Sequence, residues 1–372
     1  MIDTRFDVLC VGLGPAGARA ARAAALAGCR VLAVDRKRVP GRPVQCAEFV
    51  PALLGVEVEG LGDCVRQPIE AMETFVEDAM PDRTQPFPGQ MLDRAAFDAH
   101  LVDAARRAGA ECRFDVVARE VCADGTVALS DGGRVHAPVL VGADGPRSIV
   151  GRAIGQVNRA LVETRQLTVE LLQPHAATDI FLSAKIPGGY GWLFPKDRVA
   201  NLGAGVLPAH QRELKAIVHA LHQHLAAEGR VGRDVLGRTG GAIPVGGPLV
   251  PHGRLGETTV LLAGDAAGLA NPVTGAGIAS AVHSGSLAGE AAALVAHGHA
   301  SAAQDYEDEL DALFGAALHR ALRRREELMR AGAHPSPASL RRSWIAYPEY
   351  WNGDGAVISV SETTRVRDRV AH

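Results

Sequence analysis

Phe6-Asp7-Val8-Leu9-Cys10-Val11-Gly12-Leu13-Gly14-Pro15-Ala16-Gly17 carries an apolar run straight into a glycine-rich turn, and an Ala/Arg-rich stretch follows to about Ala27. The run reads as a buried strand and the stretch as a helix that Gly28 stops. A second strand-like run, Arg30-Val31-Leu32-Ala33-Val34, ends on Asp35. Gly12 permits the tight turn, Gly14 lets the backbone approach a pyrophosphate, and Gly17 lets the helix pack closely on the strand. The helix N-terminus, entered through Pro15 and Ala16, offers free N–H donors and the positive end of a dipole to phosphates. Asp35 closes the second strand where a carboxylate can accept from ribose hydroxyls. A lone Gly-x-Gly-x-x-Gly would be weak evidence. Here strand, helix, second strand and acid all stand in place, and the unit predicts an α/β fold that binds a dinucleotide. Arg36, beside Asp35, joins the expected contacts.

Two more turns repeat the theme. Ala137-Pro138-Val139-Leu140-Val141-Gly142-Ala143-Asp144-Gly145 and Thr259-Val260-Leu261-Leu262-Ala263-Gly264-Asp265-Ala266 each deliver a Gly and then an Asp to the C-terminal end of an apolar strand. Open α/β sheets bind their ligands at that end. After the second comes Leu269-Ala270-Asn271-Pro272-Val273-Thr274-Gly275-Ala276-Gly277-Ile278, another glycine-rich entry into a helix.

The three turns in this order resemble the FAD-dependent oxidoreductases with the glutathione-reductase-type fold, para-hydroxybenzoate hydroxylase among them. The resemblance implies that Gly264 and Asp265 meet the FAD pyrophosphate. It also implies that Pro272, Gly275, Ala276, Gly277 and Ile278 pack beside the isoalloxazine ring, with the following helix aiming its dipole at the flavin. Asp144 belongs to the same set. Leu92-Asp93-Arg94-Ala95-Ala96-Phe97-Asp98 resembles the Asp-Arg-x-x-Phe-Asp segment of this class, which implies an FAD contact for Arg94, with Asp93 as helix N-cap. A strand over 115–118 would pass under the adenine and offer backbone bonds from about Val117.

Two segments narrow the resemblance. One is Pro40-Gly41-Arg42-Pro43-Val44-Gln45-Cys46-Ala47-Glu48-Phe49, and the other is Gly189-Tyr190-Gly191-Trp192-Leu193-Phe194-Pro195-Lys196. Together they resemble the geranylgeranyl reductase family, whose members saturate isoprenoid chains. Tyr190, Trp192, Phe194 and Pro195 match the family's Tyr-x-Trp-x-Phe-Pro motif throughout. Ala47 stands where the family usually has Gly. Arg42 and Cys46 join the expected cofactor contacts, and Cys46 and Glu48 are the candidate catalytic residues. Cys46 also reads as a small loop residue, and Glu48 as a structural acceptor. On a strand, positions i, i+2 and i+4 share a face. Tyr190, Trp192 and Phe194 would therefore form either an apolar wall for a chain-like substrate or an aromatic core strand.

Composition limits the alternatives. The chain has 372 residues and a net charge of −3, so no global field favours nucleic acid. Aromatics are 4% of the residues, which disfavours a stacking platform for single strands. Only four of the 39 basic residues are lysines, which reads either as anion recognition or as a coding bias. The six cysteines show neither zinc nor iron–sulfur spacing, and no metal is expected. His219, His222 and His224, on a helix expected over 211–228, read as a solvated face with no carboxylate at i+4. No apolar stretch is long enough to span a bilayer. With no signal peptide read at the start, a cytoplasmic protein is expected, with peripheral contact at the inner membrane face as an option.

The expected architecture is α/β, a glutathione-reductase-type FAD-binding Rossmann domain with an inserted, mostly antiparallel β-sheet substrate domain. The FAD domain takes residues 1–50, 90–150 and 256–300, and the substrate domain takes 51–89 and 151–255. C-terminal helices occupy 301–356 and a loose tail 357–372. One helix is expected over 278–295 and another over 302–329. The latter ends in a basic run that reads as a packed outer helix or a membrane-surface helix. The expected reaction is reduction of prenyl double bonds by FAD, with NADPH or a reduced protein as transient donor. An aromatic monooxygenase and a non-catalytic electron-relay or lipid-binding flavoprotein are the competing readings.

Overall fold

The computed structural model describes residues 2–52, 54, 58–332 and 334–352. The tail expected over 357–372 lies outside them.

The opening motif folds as its residue types require. Val8–Val11 is a fully buried strand, Pro15–Leu26 a helix with proline in its first turn, and Val31–Asp35 a second buried strand. They belong to a six-stranded sheet in the order 252–255, 258–262, 139–142, 8–11, 31–35, 111–114. All pairs are parallel except the edge hairpin of His252–Leu255 with Thr258–Leu262. All three Gly/Asp-bearing turns thus leave neighbouring strands at one end of one sheet. The helices Pro15–Leu26, Arg94–Arg107 and Ile278–Ala296 pack together beside it. Val127, Leu129 and Val135 of a small four-stranded sheet join the same core.

Backbone approaches backbone between the helices Pro15–Leu26 and Ile278–Ala296. A Cβ on Gly285 would lie 2.2 Å from the Ala16 carbonyl oxygen, and one on Gly289 would lie 2.3 Å from that of Ala20. The small-residue composition of the second helix follows from this packing.

The other large sheet has seven strands in the order 231–244, 161–171, 199–206, 191–196, 177–182, 71–76, 82–84. It is antiparallel apart from the pair 71–76 and 177–182. Helix Leu214–Ala227 covers one face through Leu214, Val218 and Leu225. The opposite face carries the aromatic cluster of Trp192 and Phe194 with Trp344 and Tyr347. Residues 49–51, 65–69 and 89–92 form a three-stranded sheet between the two large ones.

Several expectations need correction. The strand expected over 115–118 is a break between the strands Glu111–Phe114 and Ala118–Val121, with Asp115 at φ +60°. The helix expected over 302–329 is two helices, Ala302–Leu310 and Ala316–Arg330, joined by a π-helical turn. The histidines do not form one solvated face: His222 is buried and bonds the Gly232 carbonyl, while His219 is exposed. His224 does meet a carboxylate at i+4, that of Glu228 at 3.3 Å.

Candidate active site

The first turn leaves room for a ligand. Gly12 has φ +97°, and a Cβ there would strike the Ala143 backbone; a Cβ on Gly17 would strike Gly12. A Cβ on Gly14 would meet nothing within 4 Å. Gly14 is also the N-cap of the Pro15–Leu26 helix, without a side-chain cap. The first-turn N–H groups, those of Ala16 and Gly17 among them, therefore have no side-chain cap, and the space beside Gly14 is open, the condition an anionic phosphate needs. Asp35 accepts from the backbone N–H of Leu13 and of Lys37, at 2.7 Å each. Its carboxylate braces the turn, and each oxygen retains a lone pair for a ribose hydroxyl. Arg36 and Arg42 are exposed at the rim.

The later turns differ from each other. Asp144 is turned inward: it accepts from Ser148 Oγ and from the Ile149 N–H, and so binds the start of helix Ile149–Ala153. Burial pushes its pKa up. The Asp144 side chain thus braces the turn at which the cofactor contact is expected. Asp265 has no such side-chain bond. Its Oδ1 would lie 3.1 Å from a Cβ placed on Gly277, the N-cap of helix Ile278–Ala296, which also lacks a side-chain cap. Burial pushes the Asp265 pKa up to about 6, with the Arg94 guanidinium pulling the other way. At Val117 the N–H donates to Ser130 Oγ and the carbonyl accepts from the Ser130 N–H, which leaves the carbonyl's second lone pair for the expected adenine contact.

Arg94, Cys46 and Glu48 meet where the two large units join. Arg94 pairs with the buried Asp98 at 2.9 Å. Burial works against its charge, but Asp98 and then Cys46 outweigh that and hold its pKa above the ordinary value. The Cys46 carbonyl accepts from Gln166, whose Oε1 accepts from Trp192 Nε1. Glu48, at φ +73°, accepts from Lys196 with both oxygens at 2.8 Å, from Asn201 at 2.8 Å and from the Arg94 N–H at 3.0 Å. These donors fill its acceptor positions. The structure gives Glu48 a tying role in place of the catalytic one expected: it joins the cysteine loop, the Arg94 helix and the second sheet.

The aromatic residues pack in succession. Ring centroids are 5.8 Å apart for Tyr190 and Trp192, and 6.5 Å for Trp192 and Phe194. The Tyr190 ring also meets that of Trp344 at a tilt, centroids 4.8 Å apart, and its hydroxyl donates to the Thr274 carbonyl at 2.5 Å. Burial pushes the Tyr190 pKa up, so the phenol keeps its proton. Beside these rings a narrow cavity of about 30 Å³ is lined by Tyr190, Trp192, Ile243, Val273, Gly275 and Arg325, among others. It brings the tyrosine motif and the Pro272–Gly275 turn together as two sides of one slot. The alternation of aromatics was legible in the sequence. The contribution of Arg325 was not, because it stands inside a run of basic residues whose exposed and buried members look alike in sequence. Elsewhere, Glu73, His175 and Asp179 bring ligand-type atoms within 4.8 Å of one another. Arg83 and Arg230 already pair with Glu73 and Asp179 there.

A mostly parallel sheet, an uncapped helix start beside a glycine, and a second sheet against the last turn fit an FAD-dependent oxidoreductase. Comparison with known proteins agrees. Residues 5–198 match the FAD binding domain family, and residues 160–243 match the geranylgeranyl reductase catalytic domain. The chain is 34% identical over 312 residues to a digeranylgeranylglycerophospholipid reductase of Methanocella arvoryzae, covering 77% of each chain. It is 34% identical over 348 residues to the digeranylgeranylglycerophospholipid reductase 2 of Methanopyrus kandleri, covering 86% of this chain and 85% of that one. The crystal structure of a geranylgeranyl bacteriochlorophyll reductase-like protein from Thermoplasma acidophilum superposes with a TM-score of 0.80 at 26% identity, covering 91% and 90%. The chain belongs to the geranylgeranyl reductase family of FAD-dependent oxidoreductases. Among the described residues, no helix is long and apolar enough to cross a membrane.

Proposed function

We propose that this protein reduces carbon–carbon double bonds in the geranylgeranyl-type chains of a lipid. The observation that carries the reading is the slot between Tyr190, Trp192 and the Pro272–Gly275 turn. Its walls are mostly apolar and would have to part from about 30 Å³ to admit an alkene chain, and one of them is the turn that the family resemblance sets beside the flavin. The Gly12–Gly17 turn, Arg94, Asp265 and the N-terminus of helix Ile278–Ala296 would hold FAD. When bound, FAD supplies a two-electron hydride carrier. The protein's own part is to exclude water, align the chain and deliver a proton to the second alkene carbon. The Cys46 thiol, near Arg94 and Tyr190, is the proton source we assign. The remaining parts of the reading are transient reduction by NADPH or a protein donor and peripheral contact with the membrane. So is the division into a discontinuous FAD unit and an inserted substrate unit.

The test is to reduce the FAD-loaded protein chemically without oxygen and add geranylgeranyl lipids. Flavin reoxidation is expected, with a mass gain of two hydrogens for each bond saturated. Flavin that stays reduced, with no chain gaining mass, sinks the proposal for those lipids. Cys46→Ala should slow product formation about 100-fold, within the usual range for a lost general acid, while donor-driven flavin reduction proceeds. Unchanged product formation would remove the thiol from the mechanism. NADPH oxidation matched by a hydroxylated product would instead favour the monooxygenase reading.

A further inference from the structure

Arg325 projects from helix Ala316–Arg330 into the slot and is only 9% exposed. Its Nη1 donates to the Pro272 carbonyl at 3.3 Å. No carboxylate among the described residues pairs with it. The other deeply buried arginines are provided for: Arg94 has Asp98, and its helix neighbour Arg324 has Glu327 and two backbone carbonyls. Burial pulls the Arg325 pKa down to about 10, so the side chain still enters neutral solution as a cation. A guanidinium carries five N–H donors, and leaving most of them unmet in an apolar place is costly. Trp344, whose ring meets that of Tyr190 at a tilt, likewise buries an indole N–H without an acceptor among the described residues. The surroundings of Tyr190 therefore hold two donors without adequate partners.

The chemistry of the missing partner follows from the lining. A planar guanidinium fork matches the oxygens of phosphate or carboxylate in pairs. Most of the slot is aromatic or aliphatic, so the anion must arrive attached to an apolar chain. Relatives of this chain are named for a glycerophospholipid, which favours phosphate.

We propose that Arg325 is the specificity residue for a lipid-borne phosphate and holds the head-group end of the prenyl substrate against the Pro272–Gly275 turn. This rests on the prenyl reductase reading. Its consequence is that the double bonds nearest the phosphate are presented to the flavin side of the slot, and that neutral prenyl alcohols are poorer substrates than their phosphates.

The test uses FAD-loaded protein and two saturated ligands that cannot react, phytanyl phosphate and phytanol, with binding followed by tryptophan fluorescence. The wild type should bind the phosphate at least tenfold more tightly than the alcohol. Arg325→Met should lose that preference, and Arg325→Lys should keep part of it. Thermal midpoints check that each variant folds, and Arg325→Gln serves if the methionine variant does not. A variant without the arginine that keeps the full preference would overturn the proposal, as would a wild type that binds both ligands equally. Displacement of phytanyl phosphate by NADPH, lost in Arg325→Met, would reassign the residue to a nucleotide phosphate and also overturn it. Since neither ligand has a double bond, binding is read apart from turnover: a head-group preference without any reductase activity would reject the reductase reading, and with it the substrate role, and leave Arg325 as a lipid-phosphate ligand alone.

Discussion

Glu48 is a buried carboxylate and Asp265 a half-buried one near the cofactor site, and their surroundings set opposite behaviour. Glu48 is saturated with donors, Lys196 foremost. Glu48→Ala strands that ammonium, and breaking a buried pair this way costs about 3 kcal/mol. Urea unfolding of the FAD-loaded protein should show a loss of this order, and a loss under 1 kcal/mol would mean that Glu48 ties nothing. Asp265 is short of donors. Its folded pKa, about 6, lies above the unfolded value of 3.8. Between these values the folded state binds the extra proton, so the contribution to stability is full below about pH 4 and declines as pH rises through 6. Asp265→Asn apoprotein should therefore match the wild type near pH 4. It should exceed the wild type by something on the order of 2 kcal/mol above pH 7, while binding FAD more weakly. Thermal unfolding of the two apoproteins across that range decides the point.

Among the elements, the packing of Pro15–Leu26 on Ile278–Ala296 leaves least freedom. A Cβ on Gly285 lands 2.2 Å from a backbone oxygen, which no rotamer change can relieve. Gly285→Val should destabilise the protein by about 3 kcal/mol, as overpacking of a tight core does. It should also lower FAD affinity, since the same two helices present their N-termini to the site. A midpoint of denaturation within experimental error of the wild type would contradict this contact. At this scale much was legible. Gly12, Gly14 and Gly17 disclosed strand, turn and helix because each glycine answers a local steric demand. The Tyr190–Phe194 alternation disclosed a shared face for the same local reason. What the sequence withheld depends on partners distant in the chain. Asp144 turns to Ser148 while Asp265 stays unengaged, although both follow the same strand-Gly-Asp pattern. Val117 is claimed by Ser130, thirteen positions on. Arg325 is buried by its angle of docking, although nothing in its neighbours sets it apart from Arg323 or Arg330.

Across the whole molecule, the C-terminal stretch completes a site that begins at residue 12. Trp344 packs against Tyr190, the Tyr347 hydroxyl donates to Asp82 at 2.8 Å, and Arg342 and Arg324 share Glu327. Asp82→Ala should loosen this cover. Hydrogen exchange in residues 336–350 is expected to rise about tenfold, which corresponds to about 1.4 kcal/mol of lost closure, with little change in the Val8–Val11 strand. Equal acceleration in both places would mean that the cover does not open by itself.

The order of the chain gives this cover one more consequence. Tyr190, Trp192 and the Pro272–Gly275 turn are all made well before Trp344 and Tyr347. A newly synthesised molecule therefore holds Tyr190, Trp192 and Phe194 without their cover until those residues follow. A lipid or a chaperone can reach those rings during that interval, and the last helices then close over whatever is there.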